Sequence, residues 1–141
     1  MLSVKKMPIK NETTNKVIAT SSKTANSMLT RSIGLMFSKS EQAALILRFN
    51  KEEKISLHMM FVFYPIDVIF VNKRKQVVDV KENLRPFDTY SSTRKALYAI
   101  ELPIGTIRST KTKVGHKITF LRVKETHHLN GKSIIITKAR K

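Results

Sequence analysis

Apolar residues recur every three to four positions in one segment of the chain, residues 25–37. This spacing is typical of one face of an α-helix. The segment also holds a glycine, Gly34, which weakens a helix or ends it. The pattern predicts one amphipathic helix, whose apolar face is Met28, Leu29, Ile33, Met36 and Phe37.

Elsewhere the apolar residues form short runs rich in β-branched and aromatic side chains, which indicate strands. The polar residues 73–76 separate two such runs and predict a hairpin, and Asn130-Gly131 predicts a second hairpin because both residues tolerate positive φ. Residues 50–54 and 86–93 are predicted as a turn and a loop. The predicted strands are residues 16–19, 43–49, 55–63, 66–72, 77–81, 96–102, 118–123 and 134–137.

This order of elements predicts an α+β fold, mostly β, in which one helix in the N-terminal half accompanies a small barrel-like sheet, antiparallel or mixed. We expect three parts along the chain. Residues 1–15 are polar and aperiodic and are predicted to be a flexible lead-in, residues 16–125 a single β-rich domain, and residues 126–141 a basic C-terminal hairpin strand and tail.

Composition and charge restrict the classes of binding partner but do not identify a reaction. The 141 residues contain no cysteine, which excludes disulfides, cysteine-ligated metals and thiol nucleophiles. Lys and Arg number 27 against 10 Asp and Glu, a net charge of +17 that attracts anionic partners such as nucleic acid. The apolar stretch 57–71 is interrupted by His58, Pro65 and Asp67 and is too short to span a membrane. We therefore expect a cytoplasmic protein without a membrane span.

Five blocks of sequence, in order, resemble the domain of unknown function 192 family of archaea and bacteria. They are RSIGLM at 31–36, ISLHMMFVFYPIDVIFV at 55–71, the Val77-Val78 pair followed by Pro86, LYAIELPIG at 97–105, and VGHKI at 114–118. The second block has the archaeal form, with His-Met in place of Trp-Met. The resemblance implies a small β-rich, barrel-like domain without an established activity. His116 departs from it, because the family usually has Asp there.

His58 and Asp67 are the candidate catalytic pair. They lie on consecutive apolar runs, and a fold-back at Pro65 would let Asp67 orient His58 as a general base. No nucleophile motif accompanies them. The alternative is structural: a buried Asp67 must be paired, since an unpaired buried charge costs several kcal/mol. Glu101 is a further carboxylate in an apolar strand, with Arg31 or Arg94 as possible partners.

Other chemistry finds little support in the sequence. The histidines are scattered and show no metal-ligand spacing, and none of the four glycines forms a phosphate-binding loop. We therefore predict no metal and no cofactor. An apolar pocket or the core is expected to contain Met28, Met36, Met59, Met60, Phe61, Phe63 and Phe70. Tyr64 beside Pro65 is expected at a rim.

Three functions remain open. The first is a non-enzymatic module that binds a small ligand or a protein partner through Arg31, His58, Met59, Tyr64, Asp67 and Arg94. The second is a basic accessory protein associated with nucleic acid or the ribosome, which would use Lys111, Lys113, Lys117, Arg122, Lys124, Lys132, Lys138, Arg140 and Lys141. The third is a hydrolase or lyase that uses His58 and Asp67.

Overall fold

The computed structural model describes the backbone of residues 3–5, 7–25, 43–60, 62–129 and 132–139, and the side chains of residues 7–25, 44–60 and 62–121. The predicted helix over residues 25–37 lies outside these ranges except for Ala25, which ends a strand. The described elements are β1 (Ser3–Lys5), β2 (Ile9–Asn11), β3 (Lys16–Ala19), β4 (Ser21–Ala25), β5 (Ala43–Glu53), β6 (Ser56–His58), β7 (Ile66–Val71), β8 (Val77–Leu84), β9 (Thr89–Ser91), β10 (Ala96–Pro103), α1 (Thr106–Thr110), β11 (Ile118–Leu129) and β12 (Lys132–Ala139).

A six-stranded sheet in the order β1-β4-β5-β10-β7-β8 forms the centre of the fold. Its neighbours are antiparallel except β4 and β5, which run parallel. A four-stranded sheet, β12-β11-β2-β3, and a two-stranded sheet, β6-β9, complete the described strands.

Two apolar cores result, and both include side chains of the central sheet. The first core joins alternate residues of β5, β7 and β10, such as Ile46, Ile69 and Ile100, to β2, β3, α1 and β11. The second core joins the intervening residues, such as Leu45 and Val68, to a set of buried residues outside these strands: Ile55, Leu57, Met59, Val62 and Leu84. All six residues of β7 are buried, as expected for a strand with a core on each side.

The mostly β composition is confirmed, but the barrel-like sheet is not. The outer strands of the central sheet, β1 and β8, do not pair with each other among the described strands, so the sheet is open. The one described helix, α1, spans five residues, Thr106–Thr110. A single turn is too short to produce a helical apolar period, which is why the sequence pattern did not reveal it.

Three predicted elements differ from the structure because backbone pairing decides them. Residues 50–53, predicted as a turn, continue β5, and Glu53 pairs with Ala96. The predicted strand 55–63 shortens to Ser56–His58, since the next residue, Met59, turns its N–H to the carbonyl of Asp88. The predicted loop 86–93 contains β9, which pairs with β6.

Both predicted hairpins are confirmed. β7 and β8 pair on either side of residues 72–76, and β11 and β12 pair up to Leu129 and Lys132. The turn residues Asn130 and Gly131 lie outside the described range. The predicted lead-in, residues 1–15, contains β2, and β11 crosses the predicted boundary between residues 125 and 126. The division of the chain into three parts stays a prediction. No helix in the described ranges is long and apolar enough to cross a membrane.

Candidate functional site

Asp67 joins three elements through its carboxylate. The residue is 1% exposed on β7. Its Oδ1 accepts the N–H of Asn83 at 3.1 Å, and its Oδ2 accepts the N–H of Ile107 at 3.0 Å. Ile107 lies in the first turn of α1, whose preceding residue Gly105 has no side chain to cap the helix. Asp67 therefore supplies the missing acceptor from another strand.

His58 lies apart from this arrangement. Its side chain is exposed on β6, where the residue pairs with Thr89 of β9. Within the described residues no hydrogen bond or ion pair links His58 to Asp67, whose two oxygens accept backbone N–H groups. The structure does not bring the candidate pair together, and the bonds of Asp67 fit the structural alternative.

Glu101 is a buried carboxyl for whose Oε2 the described residues supply no partner. It is 6% exposed on β10, in register with Leu45 of β5 and Val68 of β7, two members of the second core. No hydrogen-bond partner of its Oε2 is found within the described part of the chain. Burial raises the pKa of Glu101 from 4.5 to about 8, so the carboxyl is mostly protonated at neutral pH.

Neither arginine considered for Glu101 supplies an ion pair in the described ranges. Arg94 is exposed, and its carbonyl accepts the hydroxyl of Ser92. Arg31 lies outside the described residues.

Exposed apolar side chains lie on two loops that border the second core, the core on the side of the sheet that Glu101 faces. Met60, Phe63 and Phe87 are 57%, 78% and 66% exposed, and the Phe63 and Phe87 rings meet edge to face with centroids 6.2 Å apart. Tyr64 follows Phe63 in the chain, and burial, and then the charge of Glu101, raise the pKa of Tyr64 above its ordinary value of 10.0. We call Met60, Phe63, Tyr64 and Phe87 the aromatic patch.

The backbone of Met59 holds the two loops of the aromatic patch together. Its N–H donates to the carbonyl of Asp88 at 2.9 Å, and its carbonyl accepts the N–H of Phe87 at 2.8 Å. The Met59 side chain is 1% exposed in the second core. Met59 therefore anchors both loops of the patch to the second core.

Sequence reasoning missed a second bonded carboxylate, Asp79 on β8. Its Oδ2 accepts the hydroxyl of Tyr90 at 2.8 Å and the N–H of Thr93 at 2.9 Å. Burial, with this hydrogen bond and the charge of Asp79, raises the pKa of Tyr90 to about 12. Asp79 thus fixes the chain around β9 against the central sheet. The signal was an acid between the apolar residues Val78 and Val80 of a predicted strand.

His116 acts as a hydrogen-bond acceptor where the family resemblance leads one to expect Asp. Its Nδ1 lies 3.3 Å from the backbone N–H of Lys113 and 3.2 Å from Nδ2 of the buried Asn11. Since the backbone N–H can only donate, Nδ1 carries no proton in this arrangement. The ring therefore offers the turn an acceptor, as a carboxylate would.

The described lysines of the basic C-terminal region are exposed. These are Lys111, Lys113 and Lys117, and the Lys117 ammonium lies 3.8 Å from a carboxylate oxygen of Glu12. In the β11–β12 hairpin, Arg122 is directly in register with Lys138, Lys124 with Ile136, and Lys132 with Leu129. Arg140 and Lys141 lie outside the described residues. Across the described ranges no group of three His, Asp or Glu side chains is arranged to hold a metal ion.

The proteins that are similar to this chain in sequence are uncharacterised. The family model for the domain of unknown function 192, described as Uncharacterized ACR, matches residues 9–120. A UPF0127 protein of Pyrococcus furiosus is 33% identical over 114 residues, covering 80% of this chain and 97% of its own. A UPF0127 protein of Pyrococcus horikoshii is 39% identical over 95 residues, covering 67% and 82%.

Two crystal structures share the fold. A protein of Sinorhizobium meliloti, described as a proposed transcription regulator, superposes with a TM-score of 0.74 at 16% identity, covering 84% of this chain and 94% of its own. A protein of unknown function from Novosphingobium aromaticivorans gives 0.69 at 20% identity, covering 83% and 84%. At these identities the likeness concerns the fold alone.

Replacing Asp67 with Asn should lower the free energy of unfolding by about 1–3 kcal/mol, because the amide nitrogen cannot accept the N–H of Asn83 or Ile107. Urea denaturation measures the change. Asp88→Asn, at an exposed position, serves as the control and should change stability little. Equal stability of the two variants would show that the bond lost at the amide nitrogen contributes nothing.

Glu101 should make stability depend on pH. Between pH 4.5 and about 8 the folded state holds this proton and the unfolded state does not, so the free energy of unfolding decreases as pH rises across that window. The decrease is at most about 1.4 kcal/mol per pH unit and several kcal/mol in all. Urea denaturation at a series of pH values should show the slope in the wild type and its loss in Glu101→Gln. The half-exposed Glu82→Gln should keep the slope, and an unchanged slope in Glu101→Gln would contradict the assignment.

Proposed function

Because the chain belongs to the domain of unknown function 192 family, whose description assigns no activity, we propose its function from the site itself: a non-enzymatic module that binds a small, mainly apolar ligand at the aromatic patch. The observation that carries this proposal is the contiguous exposed surface of Phe63 and Phe87, and the unpartnered Oε2 of Glu101 lies on the sheet face that carries the second core, which the aromatic patch borders. A buried polar atom without a partner costs about 1–3 kcal/mol, and a ligand that satisfies it recovers that cost.

The aromatic patch has the character of a binding surface. Solvent-exposed phenylalanines are unusual when they are contiguous, whereas single exposed apolar residues are ordinary. Phe63 and Phe87 are in ring contact, and Phe63 adjoins Tyr64 along the chain. Apolar walls with one or two polar groups are the usual composition of small-molecule sites.

The geometry supports binding more than catalysis. Asp67 holds backbone N–H groups and the exposed His58 lies on β6, so the described residues do not assemble a nucleophile with a base. A hydrolase or lyase that uses His58 and Asp67 would require both side chains to leave these positions. The proposed module needs only the arrangement already present at the patch.

Removal of the two exposed rings should weaken binding of an apolar probe without unfolding the chain. We expect Phe63→Ala/Phe87→Ala to bind 1-anilinonaphthalene-8-sulfonate about tenfold more weakly than the wild type, measured by fluorescence titration. The matched control is Val17→Ala/Val114→Ala, which removes two valines of similar exposure, 55% and 52%, outside the patch. Equal probe binding by both double variants would overturn the proposal, provided that circular dichroism shows both to be folded.

A second candidate function, loose association with nucleic acid, is supported by the register of the C-terminal hairpin. Arg122 lies directly opposite Lys138, and residues 111–141 contain nine Lys or Arg against one Glu. Adjacent cations of this kind bind phosphates with an affinity that falls steeply with salt.

Fluorescence anisotropy of labelled mixed-sequence RNA and DNA tests this second function. We expect Arg122→Gln/Lys124→Gln/Lys138→Gln to bind about tenfold more weakly than the wild type at low salt, with a shallower dependence on salt. The matched control, Lys73→Gln/Arg74→Gln/Lys95→Gln, removes the same charge from exposed residues outside the β11–β12 hairpin. Equal weakening in both triple variants would assign the binding to net charge alone.

A further inference from the structure

The register of the β11–β12 hairpin collects its cations on one face. Arg122 pairs directly with Lys138. Lys124 pairs with Ile136, which lies two residues before Lys138 on β12. Register partners, and every second residue along a strand, lie on the same face of a sheet. We call this face, which holds the four Lys and Arg residues of the two described strands, the basic face: Arg122, Lys124, Lys132 and Lys138.

A β-bulge in β11 produces this arrangement. Lys124 is in register with Ile136, whereas Thr126 is in register with the adjacent residue of β12. Glu125 is therefore an extra residue in the ladder. Were β11 regular, Glu125 would stand opposite Ile136, and the residues before it would move to the other face of the hairpin. The cations of β11 and those of β12 would then lie on opposite faces.

The hairpin is a two-stranded ribbon over most of its length. β11 pairs with β2 through residues 118–120 only, and from Arg122 onward it pairs with β12 alone among the described strands. β12 is the outer strand of its sheet. A two-stranded ribbon of this kind fits the major groove of B-form DNA, which is about 12 Å wide.

We propose that the β11–β12 hairpin binds double-stranded DNA, entering the major groove with its basic face toward the DNA. The proposal rests on the second candidate function above, loose association with nucleic acid, and deepens it by naming the partner and the face that meets it. Neutralisation of phosphates drives the binding, and the net charge of +17 raises the local concentration of any anionic polymer.

The spacing of the cations along the basic face matches the groove. Lys132 and Lys138 are six residues apart on β12, about 20 Å along the strand. The two cations of β11 lie near the Lys138 end. Cations separated in this way reach the phosphates on both sides of a groove about 12 Å wide. Ile134 and Ile136 lie between them on the same face, where apolar groups meet base edges such as the thymine methyl.

Other anionic partners fit the hairpin less well. Residues 121–139 contain no Phe, Tyr or Trp, the side chains on which the bases of single strands stack. Double-stranded RNA has a deep and narrow major groove that protein side chains do not read. A flexible acidic polypeptide has no two rows of anions at a fixed separation, so it does not match two separated groups of cations.

Fluorescence anisotropy with the full chain tests the partner. One labelled sequence is compared as a DNA duplex, as the single DNA strand and as the corresponding RNA duplex, at near-physiological salt. We expect the DNA duplex to bind at least about tenfold more tightly than the other two. Unlabelled polyglutamate should compete with the DNA duplex far more weakly than unlabelled duplex does.

Point variants test the basic face at its isolated end. Lys132→Gln should weaken duplex binding about fivefold and reduce the slope of log affinity against log salt by about one, because one phosphate contact is lost. The control is Lys73→Gln, at an exposed lysine outside the hairpin, which should have a smaller effect. Equal weakening by the two variants would overturn the basic face.

Two changes at the bulge test the face without relying on loss of charge. Insertion of a threonine between Ile135 and Ile136 gives Glu125 a partner and places Lys132 on the face opposite to the other cations, so it should weaken duplex binding as Lys132→Gln does. Deletion of Glu125 also removes the bulge but keeps the four cations on one face, so binding should not weaken. Equal binding by the insertion and the wild type, with both shown by circular dichroism to be folded, would overturn the basic face.

The remaining outcomes separate this inference from the function on which it rests. Equal binding of the DNA duplex, the single strand and the RNA duplex would overturn the named partner and leave loose association with nucleic acid in place. Competition by polyglutamate as strong as by duplex would assign the hairpin to an acidic protein instead. Absence of binding to all three nucleic acids, even at low salt, would contradict both proposals.

Discussion

The structure depends on the burial of its central sheet on both faces. β7 and β10 lie between two apolar cores, so each polar side chain on these strands has lost its water and must find a partner within the protein or remain unpaired. Asp67 and Glu101 are the two acids in this position, separated by one step of register because Asp67 pairs with Leu102 and Glu101 with Val68. They therefore lie on opposite faces of the sheet, and their hydrogen-bond partners differ.

On the first face the acid organises the chain around it. Asp67 binds the backbone of β8 on one side and the first turn of α1 on the other, and it gives a five-residue helix the cap that Gly105 cannot provide. Asp79, which lies on the second face in register with Phe70, does the same for the residues around β9. Asn11 accepts the N–H groups of Thr13 and Thr14 at the β2–β3 turn. Short elements of this kind have little core of their own, so bonds from buried side chains fix their positions.

Glu101, on the second face, differs from both Asp67 and Asp79, because the described residues supply no hydrogen-bond partner for its Oε2. Asp67, Asp79 and Asn11 accept backbone N–H groups, whereas Oε2 of Glu101 has no hydrogen-bond partner among the described residues. Burying an unsatisfied group lowers stability, and such costs concentrate at functional sites. The archaeal relatives are similar in sequence and the two bacterial structures are similar in fold, but neither comparison identifies a function. The proposed function therefore rests on the residues of this chain itself.

The sequence by itself determined much of this protein. Apolar runs with β-branched residues predicted β3, β7, β10 and the β7–β8 hairpin, because strand formation there follows from local periodicity, and the five blocks identified the family. The sequence also indicated Asp67 and Glu101, since acids within apolar runs stand out. Which partner each acid meets was decided by tertiary structure, because Asn83 and Ile107 reach Asp67 from 16 and 40 residues away. The continuation of β5 through charged residues, the strand β9 and the open sheet likewise follow from pairing between distant segments, which a local pattern does not encode.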